Sequence, residues 1–186
     1  DLSTLDGTNG FSLDGIDSGD RTARSVSSAG DVNGDGFDDL IVGAYRGDPG
    51  GLTDSGESYV VFGKASGFAA ALELSALDGT NGFRVDGVNE QDRSGHSVSS
   101  AGDVNDDGFD DLIIGAFTAD AGGDSNSGTS YVVFGKVGGF TSAIRLDSLD
   151  GTNGFRLDGI DAGDLSGEVS DAGDVNGDGF DDLIIA

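Results

Sequence analysis

Apolar residues in this chain come in short runs, and none recurs at helical spacing over a long window. Leu40-Ile41-Val42, Leu112-Ile113-Ile114 and Leu183-Ile184-Ile185 each follow a polar, glycine-bearing stretch. Tyr59-Val60-Val61-Phe62 and Tyr131-Val132-Val133-Phe134 form a second set. Short β-branched or aromatic runs bounded by glycine predict buried strands. In the middle of the chain the pattern predicts strand A over 96–101, B over 111–117, C over 129–135 and D over 155–159. Strand D is reached through Ala143-Ile144-Arg145-Leu146 and an Asn153-Gly154 turn, a pair that favours positive φ.

The pattern is periodic. Phe11, Phe83 and Phe155 are 72 residues apart, and Leu-Asp-Gly-Thr-Asn-Gly-Phe recurs at Leu5, Leu77 and Leu149. Four antiparallel strands per repeat predict an all-β fold built of β-propeller blades. One blade cannot bury both of its faces, so neighbouring blades must pack face to face. The chain divides into an outer strand of a preceding blade (1–22), blade 1 (23–93), blade 2 (94–165) and the start of blade 3 (166–186). That is about two and a half blades, where closed propellers have roughly four to eight. The first strand is expected to be an orphan, and open edges and faces invite association. The remaining blades of a longer chain would cover them; alternatively, copies of this chain would self-associate into a ring.

One irregularity has a structural meaning. The stretch before blade 3, Ser166 to Gly173, is one residue shorter than its counterpart, Ser94 to Gly102. A one-residue loss reverses side-chain facing along a strand. The third strand A is therefore expected to start later or to lack a bulge.

Composition narrows the classes. The chain has 35 acidic and 9 basic residues and a formal charge of −26. That excludes nucleic acid as a main partner, because phosphate backbones need a basic surface. It also argues against docking on anionic lipid, and the apolar runs are too short for membrane insertion. There is no cysteine, hence no disulfide framework and no thiol chemistry. Glycine occurs 35 times and proline once, as tight turns between strands would require. The N-terminus reads as the middle of a repeat, so any targeting segment is expected outside this chain.

The polar stretch before each Leu-Ile run is one nonapeptide written three times. Its copies run from Asp31 to Asp39, from Asp103 to Asp111 and from Asp174 to Asp182. Side-chain oxygens fall at positions 1, 3, 5 and 9: Asp31, Asn33, Asp35 and Asp39; Asp103, Asn105, Asp107 and Asp111; Asp174, Asn176, Asp178 and Asp182. Position 6 is glycine, which permits a sharp bend. At position 7, Phe37, Phe109 and Phe180 can each offer a backbone carbonyl while the ring packs elsewhere. Hard cations such as Ca²⁺ take about six to eight oxygens from alternate residues of a tight loop. Three Ca²⁺ ions would reduce the charge from −26 to −20 (−26 + 6). The loop is not an EF-hand, which needs a bidentate Glu at position 12 and flanking helices; position 12 here is Val42, Ile114 or Ile185.

No catalytic constellation accompanies the loops. His96 is the only histidine and aligns with Arg24, which points to a strand-surface role. Neither a Gly-x-Ser-x-Gly elbow nor a phosphate-binding Gly-x-x-x-x-Gly-Lys motif occurs. Arg46-Gly47-Asp48 spells a cell-attachment tripeptide in a polar loop expected to be exposed, and it reads as coincidence. The aromatics Tyr59, Phe62, Tyr131 and Phe134 read as core. The segments around Phe68 and Phe140 read as connectors on the blade rim.

Together these residues resemble the FG-GAP repeats of the integrin α-subunit head, which combine a Gly-rich strand, an Asp-rich calcium loop and an apolar strand ending in Gly-Ala-Pro. Here Val26 to Asp31 leads in, and Leu40-Ile41-Val42-Gly43-Ala44-Tyr45 leads out. The second copy ends Gly115-Ala116-Phe117. The wording of the repeats looks more like bacterial secreted FG-GAP proteins. The resemblance implies a seven-bladed propeller on an extracellular protein, with Ca²⁺ held at the loop positions named above. Three departures stand out: Asn at position 3, Asp106 in place of the loop glycine, and no proline after Gly-Ala. The expected function is that of a calcium-binding, adhesion-type interaction module, not an enzyme, with a protein or glycan ligand. The alternative is a glycan binder or the propeller part of a polysaccharide-degrading enzyme.

Overall fold

A computed structural model describes all residues, 1–186. It contains thirteen strands, four short 3₁₀ turns and no α-helix. The strands are β1 (Ser12–Asp14), β2 (Ser25–Gly30), β3 (Asp39–Ala44), β4 (Glu57–Val61), β5 (Ala71–Glu73), β6 (Gly82–Asp86), β7 (Ser94–Gly102), β8 (Asp111–Ala116), β9 (Thr129–Val133), β10 (Ala143–Arg145), β11 (Gly154–Asp158), β12 (Val169–Gly173) and β13 (Asp182–Ile185). The strands β2-β3-β4-β6 form one antiparallel blade, β7-β8-β9-β11 the next, and β12-β13 begin a third. The expected strands A to D of the middle repeat are β7, β8, β9 and β11. The fold is an arc of β-propeller blades.

The connectors differ from the expectation. Ala143–Arg145 is the short strand β10, and it runs parallel to β6 on the outer edge of the preceding blade. The same link recurs one repeat earlier, where β5 pairs in parallel with β1. The first strand is therefore not an orphan, and each connector caps the outer edge of the blade before it. The Asp-Gly-Thr-Asn-Gly loop sits beside this link. Its Asn side chain accepts from the Asp backbone N–H at 3.0–3.1 Å in all three copies, at Asn9, Asn81 and Asn153. A Cβ on Gly79 would strike the Phe140 carbonyl of the connector, so the loop lies directly against it.

The largest core lies between the two complete blades. Ile41, Val60, Phe62, Phe83 and Val85 on one side meet Val98, Leu112, Ile114, Tyr131 and Val133 on the other. Phe140 and Leu146, from the connector region, close its outer end. A smaller cluster of Ala101, Ile113, Val132 and Val169 joins the second blade to β12. Repeat-equivalent residues show what the neighbour contributes. Val98 is 4% exposed with a blade against it, whereas Val26 is 61% exposed. Likewise Leu112 is 0% exposed and Leu40 is 37%. Burial of such side chains contributes roughly 1.5–3 kcal/mol each, and at these positions the neighbouring blade supplies it.

The bulge at the start of strand A is particular to β7, since β2, whose lead-in lacks no residue, also starts late, at Ser25, with no slip at its beginning. The pairing of β7 with β8 slips between Ser94 and Ser97, marking a bulge. The strand β12 starts only at Val169 and has no such slip at its beginning.

Candidate functional site

The three acidic loops join β2 to β3, β7 to β8 and β12 to β13. Just before each loop the ladder shifts register, at Ser28/Gly30, Ser100/Gly102 and Asp171/Gly173. Gly30, Gly102 and Gly173 there have φ of 70°, 64° and 62°, a left-handed conformation that favours glycine. This bulge turns the chain into the loop. The glycine that marks it is visible in the sequence as Ala-Gly-Asp, but its role is not.

Position 1 organises each loop. Asp31 Oδ1 accepts from the N–H groups of Gly34 (2.9 Å) and Asp35 (3.0 Å), and its Oδ2 accepts from Gly36 (2.8 Å). Asp103 accepts from Asp107 and Gly108, and Asp174 from Gly177, Asp178 and Gly179. Bonds from these amides, the Gly179 N–H foremost, hold the Asp174 carboxyl below the usual range. Position 5 accepts from the position 7 amide: Asp35 from Phe37, Asp107 from Phe109, and Asp178 from Phe180.

Position 9 closes the loop from inside the blade. Asp39 is fully buried, accepting from the Val32 N–H (3.1 Å) and from the Gly63 N–H (2.8 Å) beyond β4. Asp111 is equally buried and accepts from Val104 and Gly135 in the same way. Burial pushes both carboxyls up to about 7, against the pull of those N–H bonds, and the Asp35/Asp31 and Asp107/Asp103 charges add to the rise. Asp182 accepts from Val175 (2.9 Å) and is only half-buried.

Position 3 differs among the loops. Asn33 Oδ1 accepts from the Asp35 N–H at 2.8 Å, and the Asn176 amide donates to Asp182 at 3.4 Å. The Asn105 Oδ1 is buried with no hydrogen-bond partner. A buried acceptor without a donor is costly, and a cation is a partner that would satisfy it. The donor set, all hard oxygens with carboxylates in excess, suits Ca²⁺. Lone pairs remain on carboxylate oxygens that already accept one N–H. No group of three or more acidic side chains converges as a ready-made cage, however.

The rings at position 7 part company. Phe109 is half-buried, its edge lying where a Cβ on Gly34 would be, while Phe37 and Phe180 are largely exposed. His96 is not on the strand surface as expected. It is enclosed between Phe117 (centroids 4.2 Å) and Tyr45 (5.3 Å), with Nδ1 3.3 Å from Glu168 Oε1. The Arg46-Gly47-Asp48 tripeptide is only in part the exposed loop expected, with Asp48 at the surface. Gly47 is buried against the Glu57 side chain and Arg46 is half-buried. Asp48 is taken up by the Asp54 N–H at 2.6 Å, the same loop closure that Asp120 makes with Asn126 (2.7 Å).

Comparison with known proteins agrees with this geometry. The family model for the FG-GAP repeat matches residues 23–61 and 94–133. Two stretches of the chain thus match the FG-GAP repeat. The matched stretches run from just before β2 to the end of β4, and from the start of β7 to the end of β9, so each contains one acidic loop. Integrin alpha-5 of Xenopus laevis is 34% identical over 62% of this chain and 10% of its own length. Integrin alpha pat-2 of Caenorhabditis elegans is 31% identical over 90% of the chain and 13% of its own length. Phosphatidylinositol-glycan-specific phospholipase D of Mus musculus is 30% identical over 87% of the chain and 18% of its own length. The chain thus spans between a tenth and a fifth of these relatives. All three are animal proteins, and the likeness to bacterial secreted proteins rests on the repeat wording alone. No helix of the chain is long and apolar enough to cross a membrane.

Proposed function

We propose that these FG-GAP repeats form a calcium-stabilised interaction module of a secreted or cell-surface protein, in the manner of an adhesion-type propeller. The buried, partnerless Asn105 Oδ1, in a loop already rich in carboxylates, carries the calcium reading. Ca²⁺ would be held at positions 1, 3, 5 and 9 and by the position 7 carbonyl of each loop. The ion would offset carboxylate repulsion and pin the hairpins β2–β3, β7–β8 and β12–β13, so that its binding energy adds to folding. The rigid blade faces and loops would then present a surface to a protein partner. The likeness to integrin α chains supports that reading. A glycan partner is the alternative, and so is carriage beside an enzyme, for which the phospholipase D relative speaks.

Calorimetric titration with calcium tests the site assignment. Asp35→Ala, Asp107→Ala and Asp178→Ala should each remove one site of the three proposed. Unchanged stoichiometry in all three variants would contradict the ligand assignment.

A further inference from the structure

The residue at position 8 of each loop is not a ligand in the calcium reading, yet in two of the three loops its carboxylate bonds to the preceding blade. Asp110, in the second loop, crosses to the preceding blade. Its Oδ2 accepts the Asp31 backbone N–H at 2.7 Å. Asp181, in the third loop, does the same to Asp103 at 2.9 Å. The contact is reciprocal, because the Asp110 N–H reaches the Asp31 carbonyl (3.4 Å) and the Asp181 N–H the Asp103 carbonyl (3.2 Å). Both carboxylates lie where a Cβ on the bulge glycine, Gly30 or Gly102, would otherwise sit. The sequence therefore reserves a glycine for each crossing. Around the first crossing, the Phe109 ring covers Gly34, and the Lys136 N–H donates to the Val32 carbonyl at 2.9 Å. The first loop is thus fixed by residues of the next blade on both sides of Asp31.

We infer that Asp110 and Asp181 are positioning residues that set the cation affinity of the preceding loop rather than of their own, coupling the loops blade to blade. The inference rests on the calcium reading of the loops. Asp31 and Asp103 are the residues around which each loop winds. Holding their backbone from outside orders the whole loop in advance of the ion, and the less a loop must be ordered on binding, the tighter it binds. Asp38 is the internal control. It occupies position 8 of the first loop, is exposed, and accepts no hydrogen bond from another loop.

Calcium titration of chains with a single working loop tests this. With Asp107→Ala and Asp178→Ala present, only the first loop is read. Adding Asp110→Ala should lower its affinity about tenfold, within the usual range of coupling between sites. Asp110→Asn keeps an acceptor oxygen and should restore most of that loss, while Asp38→Ala should change nothing. With Asp35→Ala and Asp178→Ala present, the second loop is read, and Asp110→Ala should leave it within about twofold although Asp110 belongs to it, the coupling acting on the other site. Hydrogen exchange gives a readout independent of calcium: the Asp31 amide should exchange faster in Asp110→Ala. If Asp110→Ala fails to fold, Asp181→Ala read on the second loop carries the same test. Calcium binding by the first loop that Asp110→Ala leaves unchanged, or a loss confined to the second loop, would overturn the inference alone. No binding by the first loop with Asp110 intact would overturn the calcium reading and the inference with it.

Discussion

The Phe140 ring stacks on Phe83, with centroids 4.3 Å apart and planes within 8° of parallel. Phe83 lies in β6, the outer strand of one blade, and Phe140 lies in the connector of the next, three residues before β10. The stack therefore fastens the link that no strand pattern in the sequence announces. Phe68 makes the equivalent stack on Phe11, at 4.2 Å, but is only half-buried. Phe140→Ala should lower unfolding free energy by about 3–5 kcal/mol, as for buried aromatic deletions generally, and Phe68→Ala by clearly less. Denaturant unfolding of both variants measures the difference; equal losses would contradict the role given to the connector.

Blade spacing depends on glycines in strand B. A Cβ on Gly43 would strike the Gly95 carbonyl, and one on Gly115 the Gly167 carbonyl, both in the next blade. Backbone atoms cannot swing aside. Gly115→Ala should cost about 1–3 kcal/mol through overpacking. Gly139→Ala, where nothing lies within 4 Å, should stay within about 0.5 kcal/mol. Thermal melts of the two variants decide the matter.

Much of this was legible in the sequence because strand, turn and loop signals are local. The β-branched runs placed strands A to D to within about two residues, the usual disagreement at element ends. The missing residue before Val169 did not decide the bulge at the start of strand A, because β2 lacks it too with no residue missing. The edge strands β5 and β10 were not legible: Ala-Leu-Glu and Ala-Ile-Arg are too short to show a period, and their partners are set by topology. Asp110 looked like one more acid in an acidic loop, and only the placement of the next blade shows its partner. Arg46-Gly47-Asp48 looked exposed because its residues are polar, whereas the Asp48–Asp54 closure and the Glu57 side chain bury its centre.

The buried Gly47 and the Asp48 carboxylate tied to the Asp54 N–H predict how the tripeptide behaves. Cells that attach through Arg-Gly-Asp should not spread on a surface coated with the native chain. Spreading that Asp48→Glu abolishes would contradict the burial argument.

His96 supplies a pH dependence. Burial lowers its pKa from 6.5, with the Arg24 and Arg93 charges acting in the same direction and Glu168 opposing them. A base with a depressed pKa favours the folded state while neutral. Its contribution is therefore complete above about 6.5 and is lost as pH falls through the folded value. As the only histidine, it gives a single imidazole signal in NMR, which should titrate below 6.5. His96→Phe should flatten the stability profile over that window. Titration above 6.5 would mean that Glu168 outweighs burial.

Thermal unfolding against free calcium, from chelator to about 10 mM, a range that brackets weak extracellular sites, tests the central claim most directly. A cooperative transition whose midpoint climbs with calcium, by an amount that falls when Asp35, Asp107 or Asp178 is replaced by Ala, is the result predicted. A cooperative transition that keeps the same midpoint from chelator to saturating calcium would contradict a calcium-stabilised propeller.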